Sequence, residues 1–124
     1  MNKKLFMYMK KVISGEFVLP CMIELHPTTE CNHDCIWCIM REHRKDYGEL
    51  SHSQLFSIAK QLYEDFEMKY IFLSGSGEPL LNNNLFLPFH YKNKTYSNYF
   101  ELLYSFGISI GMSTNGELLK KLIE

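Results

Sequence analysis

Three of the chain's four cysteines, Cys31, Cys35 and Cys38, fall within eight residues in a C-x3-C-x2-C spacing, and the fourth, Cys21, stands ten residues upstream. Three thiolates so close converge on one metal centre without filling a four-ligand site. A structural zinc takes four protein ligands, commonly as two separated pairs. Iron–sulfur clusters are held by cysteine thiolates, and a cubane held by only three leaves one iron open to another ligand. The triplet therefore reads as a metal centre with one position open.

Two later stretches carry small and polar residues directly behind apolar runs. Ser74-Gly75-Ser76-Gly77-Glu78-Pro79 follows Tyr70-Ile71-Phe72-Leu73, and Ser113-Thr114-Asn115-Gly116 follows Ile108 to Met112. Taken locally, the first is a tight turn whose glycines permit positive φ. The second supplies ordinary caps for a helix starting near Glu117. In parallel α/β folds, however, ligands bind at the carboxyl ends of strands, where small residues let backbone approach a ligand closely.

These three stretches, in this order, resemble the radical S-adenosylmethionine (radical SAM) enzymes. The triplet has that family's spacing, with an aromatic residue, Trp37, just before its last cysteine. Where the family carries Gly-Gly-Glu-Pro, this chain has Ser76-Gly77-Glu78-Pro79 with Gly75 just before, a departure that keeps a small residue. The resemblance implies a 4Fe-4S cluster on Cys31, Cys35 and Cys38, with its fourth iron chelated by the amino and carboxylate groups of S-adenosyl-L-methionine. It places Gly75, Ser76, Gly77, Glu78 and Pro79 at the amino group of SAM, with Glu78 accepting the ammonium hydrogens. It places Ser113 and Asn115 at the ribose and carboxylate. The backbone around Trp37 is expected near the adenine, or the Trp37 side chain over the cluster as a shield.

The implied reaction is reductive cleavage of SAM to methionine and a 5′-deoxyadenosyl radical that abstracts hydrogen from an unknown substrate. The electron comes from a low-potential donor of the flavodoxin or ferredoxin type. No catalytic residue beyond the cluster ligands is identified. Two other readings stay open. One is a non-catalytic zinc or iron–sulfur module, with Cys21, His26 or His33 as fourth ligand; the other is an inactive remnant. Cys21 is expected to be a small buried apolar residue, and His33 to point outward.

The elements that must position these residues follow from periodicity. Apolar residues at Leu5, Tyr8/Met9 and Val12/Ile13 predict an amphipathic helix over 3–14 that packs against the domain. Phe17 to Leu25 reads as a strand, with Pro20 tolerated near its start. The cysteine loop then runs to about Leu50 through a charged, solvated stretch, Arg41 to Asp46. Ser51-His52-Ser53-Gln54 is a capping box, followed by a buried stripe of Leu55, Ile58/Ala59, Leu62 and Phe66. Met68 to Ser74 is apolar enough for a strand buried on both faces. From Leu80 to Tyr99 the sequence is polar and turn-prone, with Pro88 interrupting any helix. Ser97 is expected to cap a short helix that buries Phe100, Leu103 and Phe106, and Ile108 to Met112 is a third strand.

Strand, helix, strand, helix, strand implies an α/β fold with a parallel sheet. The resemblance specifies the N-terminal part of a partial (β/α)6 TIM-like barrel, with about three βα units at ~31 residues each. The expected organisation is an N-terminal helix over 1–16 and a core over 17–124 that is truncated at its C-terminus. A missing half would be a partner, and Ile108–Met112 an uncovered edge.

Composition narrows the classes. A length of 124 residues is one domain's worth of chain, and 46% hydrophobic with 22% charged residues supports a packed core over disorder. A net charge of −1 disfavours nucleic-acid binding by bulk charge. No run approaches the ~18 apolar residues of a membrane span, and no secretory h-region is present. A cytoplasmic location without membrane contact is therefore expected. There thiols stay reduced, and clustered cysteines read as metal ligands.

Overall fold

Ser51 starts the helix expected behind the cysteine loop, with the Ser51 side chain and Gln54 closing a reciprocal capping box. The computed structural model describes residues 3–42 and 48–123, so most of the charged stretch Arg41 to Asp46 lies outside the described residues. Helix α1 spans Lys3–Ile13, strand β1 Ile23–Leu25, helix α2 His52–Glu64 and strand β2 Tyr70–Leu73. A hairpin follows, β3 Phe89–Tyr91 and β4 Lys94–Tyr96, then helix α3 Tyr99–Ser105 and strand β5 Ser109–Met112. Among the described residues no helix is long and apolar enough to cross a membrane.

Strands β1, β2 and β5 form one parallel sheet in that order, with Glu24, Phe72 and Gly111 in register across it. The expected parallel α/β sheet is present. Alternation along the strands sends Ile23, Leu25, Ile71, Leu73, Ile110 and Met112 toward the helices. There they meet Leu55, Ala59 and Leu62 of α2 and Leu102 and Leu103 of α3 in a single core. The other sheet face is open: β2 buries Ile71 and Leu73 completely but leaves Tyr70 37% exposed. The expectation that β2 is covered on both faces is thus corrected, because both crossover helices contribute to the same core.

Other expectations shift for identifiable reasons. The strand expected from Phe17 shrinks to Ile23–Leu25, because residues 18–19 instead run along α1, where the Tyr8 hydroxyl donates to the Leu19 carbonyl at 2.9 Å. Helix α1 leaves Phe6, Met9, Val12 and Ile13 exposed, so its apolar face does not pack into the domain. Cys21 is exposed at a bend ahead of β1, not buried. Phe66 lies beyond the end of α2 and is exposed. Residues expected to open a helix near Glu117 instead lead into a short 3-10 turn, Leu119–Leu122.

The polar stretch 91–96 hides a hairpin. Phe89 and Tyr96 pair across it and turn inward, and Phe89 stacks on His52 at 4.1 Å and lies against Tyr99. Asn98, one residue beyond Ser97, caps α3 by accepting from the Glu101 N–H. The Ser97 N–H donates back to Glu101 at 2.6 Å and holds that carboxyl below its ordinary range.

Candidate functional site

The three sheet strands end level with one another. The Ser74 N–H donates to the Leu25 carbonyl at 3.0 Å, and the Ser113 N–H to the Leu73 carbonyl at 2.9 Å. The cysteine loop after β1, the glycine turn after β2 and the Ser-Thr-Asn turn after β5 therefore leave the sheet side by side at its carboxyl end.

The neck of the cysteine loop is closed by backbone and by one buried side chain. The Leu50 N–H donates to Pro27 at 2.8 Å, the Thr29 N–H to Gly48 at 3.1 Å, and Thr28 pairs with Glu49 across an antiparallel bridge. Asn82 is wholly buried, and its Nδ2 donates to both the Pro27 and Leu50 carbonyls at 2.8 Å. An amide nitrogen has two hydrogens to give, and here one goes to each side of the neck. In sequence Asn82 is one polar residue of the turn-prone stretch that begins at Leu80. Its burial between distant segments has no local signature.

Above the neck, the glycine turn grips the approach to the first cysteine. The Glu78 N–H donates to the Glu30 carbonyl at 2.7 Å. A Cβ at Gly77 would overlap the backbone of Thr29 and Glu30, and one at Gly75, at φ +116°, would overlap the His26 ring. These two glycines are required by close approach. Glu78 itself is 2% exposed. Its Oε1 accepts from the Thr114 hydroxyl at 2.8 Å and the Leu80 N–H at 3.1 Å, and its Oε2 from the Asn115 N–H at 2.8 Å. The carboxylate thus joins the two turns while Glu78 also lines the cleft that the cysteines border.

Cys31, Cys35 and Cys38 line a cleft of about 220 Å³ together with Gly75, Ser76, Gly77 and Glu78 from one turn and Ser113, Thr114 and Asn115 from the other. Three sequence stretches tens of residues apart thus share one cavity wall. His33 is exposed, as expected, and lies at the rim of this cleft with Nε2 2.7 Å from Glu117 Oε2. Two of the expected residues stand apart. Trp37 is 91% exposed and not on the cleft wall, so its side chain shields nothing there, and Pro79 is buried as the start of the 3-10 turn Pro79–Leu81. A larger cavity of about 420 Å³, bordered by His26, Glu49 and Gln54, shares Ser76 with the lining of the cleft.

All four cysteines are outside disulfides. Among the described residues no group of three or more Cys, His, Asp or Glu side chains is gathered tightly enough to hold a metal ion. The donor set on the cleft wall is nonetheless of the right chemistry for an iron–sulfur cluster, being three thiols facing one cavity. Glu30, just before Cys31, is anchored to the glycine turn, whereas Cys35 and Cys38 are joined by a local turn, the Cys38 N–H donating to the Cys35 carbonyl at 3.0 Å.

A family model described as the Radical SAM superfamily matches residues 25–124, about four-fifths of the chain. No curated protein and no solved structure matches it.

Proposed function

Because the chain belongs to the radical SAM superfamily, we propose that it is a radical SAM enzyme, or the cofactor-binding part of one, acting on a substrate the sequence does not name. Cys31, Cys35 and Cys38 hold a 4Fe-4S cluster, and the turns Gly75–Glu78 and Ser113–Asn115 hold SAM. The sheet is then the first part of a partial (β/α)6 barrel, carried by residues 17–124 behind the helix of residues 1–16. One observation carries this reading: the three thiols and both turns line a single cleft at the carboxyl end of the sheet.

When bound, the cluster and SAM together supply one-electron reductive cleavage and hydrogen abstraction, with the electron delivered by an external flavodoxin- or ferredoxin-type donor. The protein's own part is binding and orientation. The turn 75–77 offers backbone to the cofactor, and the Glu78 carboxylate, held in place by Thr114, Asn115 and Leu80, keeps an acceptor site for the amino group of SAM. Ser113 and the Asn115 side chain flank the same space from the other strand end.

A second reading draws support from His33, which lines the cleft beside the cysteines. As a fourth ligand it would close the site and leave a structural zinc or iron–sulfur centre.

The deciding experiment is anaerobic reconstitution with iron and sulfide, followed by EPR of the dithionite-reduced protein with and without SAM. The proposal expects a 4Fe-4S signal that changes when SAM is added, and iron retained in His33→Ala. A signal indifferent to SAM together with loss of metal in His33→Ala would establish the closed site instead.

A further inference from the structure

Glu117 was not singled out by sequence, yet it joins two strand-end loops. Its Oε2 accepts from Asn32 Nδ2 at 2.6 Å and lies 2.7 Å from His33 Nε2. A carboxylate only accepts, so the His33 ring must donate from Nε2. Asn32 is held a second time, its Oδ1 accepting from Asn115 Nδ2 at 2.8 Å. The Asn115 side chain also accepts from the Glu117 N–H at 3.0 Å, and its backbone N–H is the donor to Glu78 Oε2. A continuous hydrogen-bonded run thus passes from Glu78 through Asn115 to Asn32, Glu117 and His33.

Asn32 and His33 are the two residues immediately after Cys31. With the Glu30 carbonyl tied to Glu78, the first ligand cysteine is bracketed, residue 30 by the turn after β2 and residues 32–33 by the turn after β5. Within the same loop Arg41 pairs with Asp34 at 2.7 Å, and Asn82 holds its neck from below.

We propose that Glu117 is a positioning residue. Its carboxylate clasps Asn32 and His33, fixes Cys31 against the turn that carries Ser113 and Asn115, and so couples the cluster's anchoring cysteine to the SAM-binding turns. Groups bonded directly to metal ligands commonly govern affinity about tenfold or more; Glu117 acts one residue further out, so about tenfold is the upper end of its effect. The pairs are exposed, so they contribute little to global stability, and their effect falls on local geometry. This inference rests on the function proposed above.

The test uses the full chain as wild type, Glu117→Ala, Glu117→Gln and, as a control, Lys60→Ala, which removes an exposed pair on α2 away from the cleft. In the metal-free protein, alkylation of each cysteine is followed by mass spectrometry. Glu117→Ala is expected to label Cys31 several-fold faster with Cys21 unchanged, while Glu117→Gln, which keeps an acceptor oxygen, stays near wild type. In the reconstituted protein, Glu117→Ala should raise the SAM concentration for half of the EPR change by up to about tenfold, with Lys60→Ala unaffected. Unchanged Cys31 labelling, or altered labelling with an unchanged SAM response, overturns the clasp. If the wild type itself shows no SAM-responsive cluster, the proposed function fails, and the labelling result still decides whether Glu117 fixes Cys31.

Discussion

The Glu78 carboxylate and the Asn115 backbone N–H meet at 2.8 Å, 37 residues apart in sequence and on the turns of two adjacent strands. With Thr114 on its other oxygen, Glu78 sets the spacing of both cleft walls from beneath. A carboxylate has room for all three of its donors, whereas an amide has one acceptor oxygen and would present its NH2 to the others. Glu78→Gln is therefore expected to lower stability by about 1–3 kcal/mol, the cost of leaving a buried donor unmatched. Urea denaturation of the metal-free chain reads this directly. A wild-type midpoint and slope would mean that the turns are held together by other contacts.

Gly77 makes a related prediction through sterics. A methyl group there would overlap the Thr29–Glu30 backbone, which cannot rotate aside as a side chain can. Gly77→Ala should cost about 1–3 kcal/mol, the usual range for overpacking, and should displace Cys31 enough to lower iron content after reconstitution. Full iron loading in a Gly77→Ala protein of normal stability would show that the contact relaxes without consequence.

The cysteines divide by position. Cys35 lies on the cleft wall, and Cys21 is exposed at a bend outside it. Cys35→Ala should abolish the iron–sulfur absorbance and EPR signal, whereas Cys21→Ala should retain both. Equal loss in the two variants would overturn the three-ligand assignment.

What the sequence revealed and what it hid divides by range. The capping box at Ser51, the parallel sheet and the turns at Gly75–Glu78 and Ser113–Asn115 are announced by residues within a few positions of one another. The three motifs that mark the cleft are likewise local. The pairing of His33 with Glu117 has no local signature, because the two are 84 residues apart. The Phe89–Tyr96 hairpin was missed because its inward residues are separated by polar ones that dominate the local composition. Cys21 was placed in the interior on residue type, but the segment 18–19 that precedes it is drawn to α1 and leaves it exposed. Glu78 shows both sides: its place in the turn after β2 is legible, but its three hydrogen-bond partners, two of them on the turn after β5, are not.

Asn82 carries the same logic to the base of the loop. Its Nδ2 donates across the neck to Pro27 and Leu50, and its Oδ1 accepts from the Asn84 N–H at 2.9 Å. Asn82→Ala would remove the donor to the Pro27 carbonyl while leaving that carbonyl its backbone bond from Leu50, and would strip the Asn84 N–H of its acceptor. A loss of about 1–3 kcal/mol is expected for such a buried polar vacancy. Asn82→Asp separates the two halves of the side chain, since it keeps an acceptor for Asn84 but sets carboxylate oxygens against two carbonyls. It should be the more damaging change, because an uncompensated buried charge costs more than an absent group. Amide hydrogen exchange at Thr29 and Leu50, whose N–H groups close the neck, is the local readout. If both variants keep slow exchange at these two positions, the backbone closes the loop without Asn82, and the support beneath the cysteines lies elsewhere.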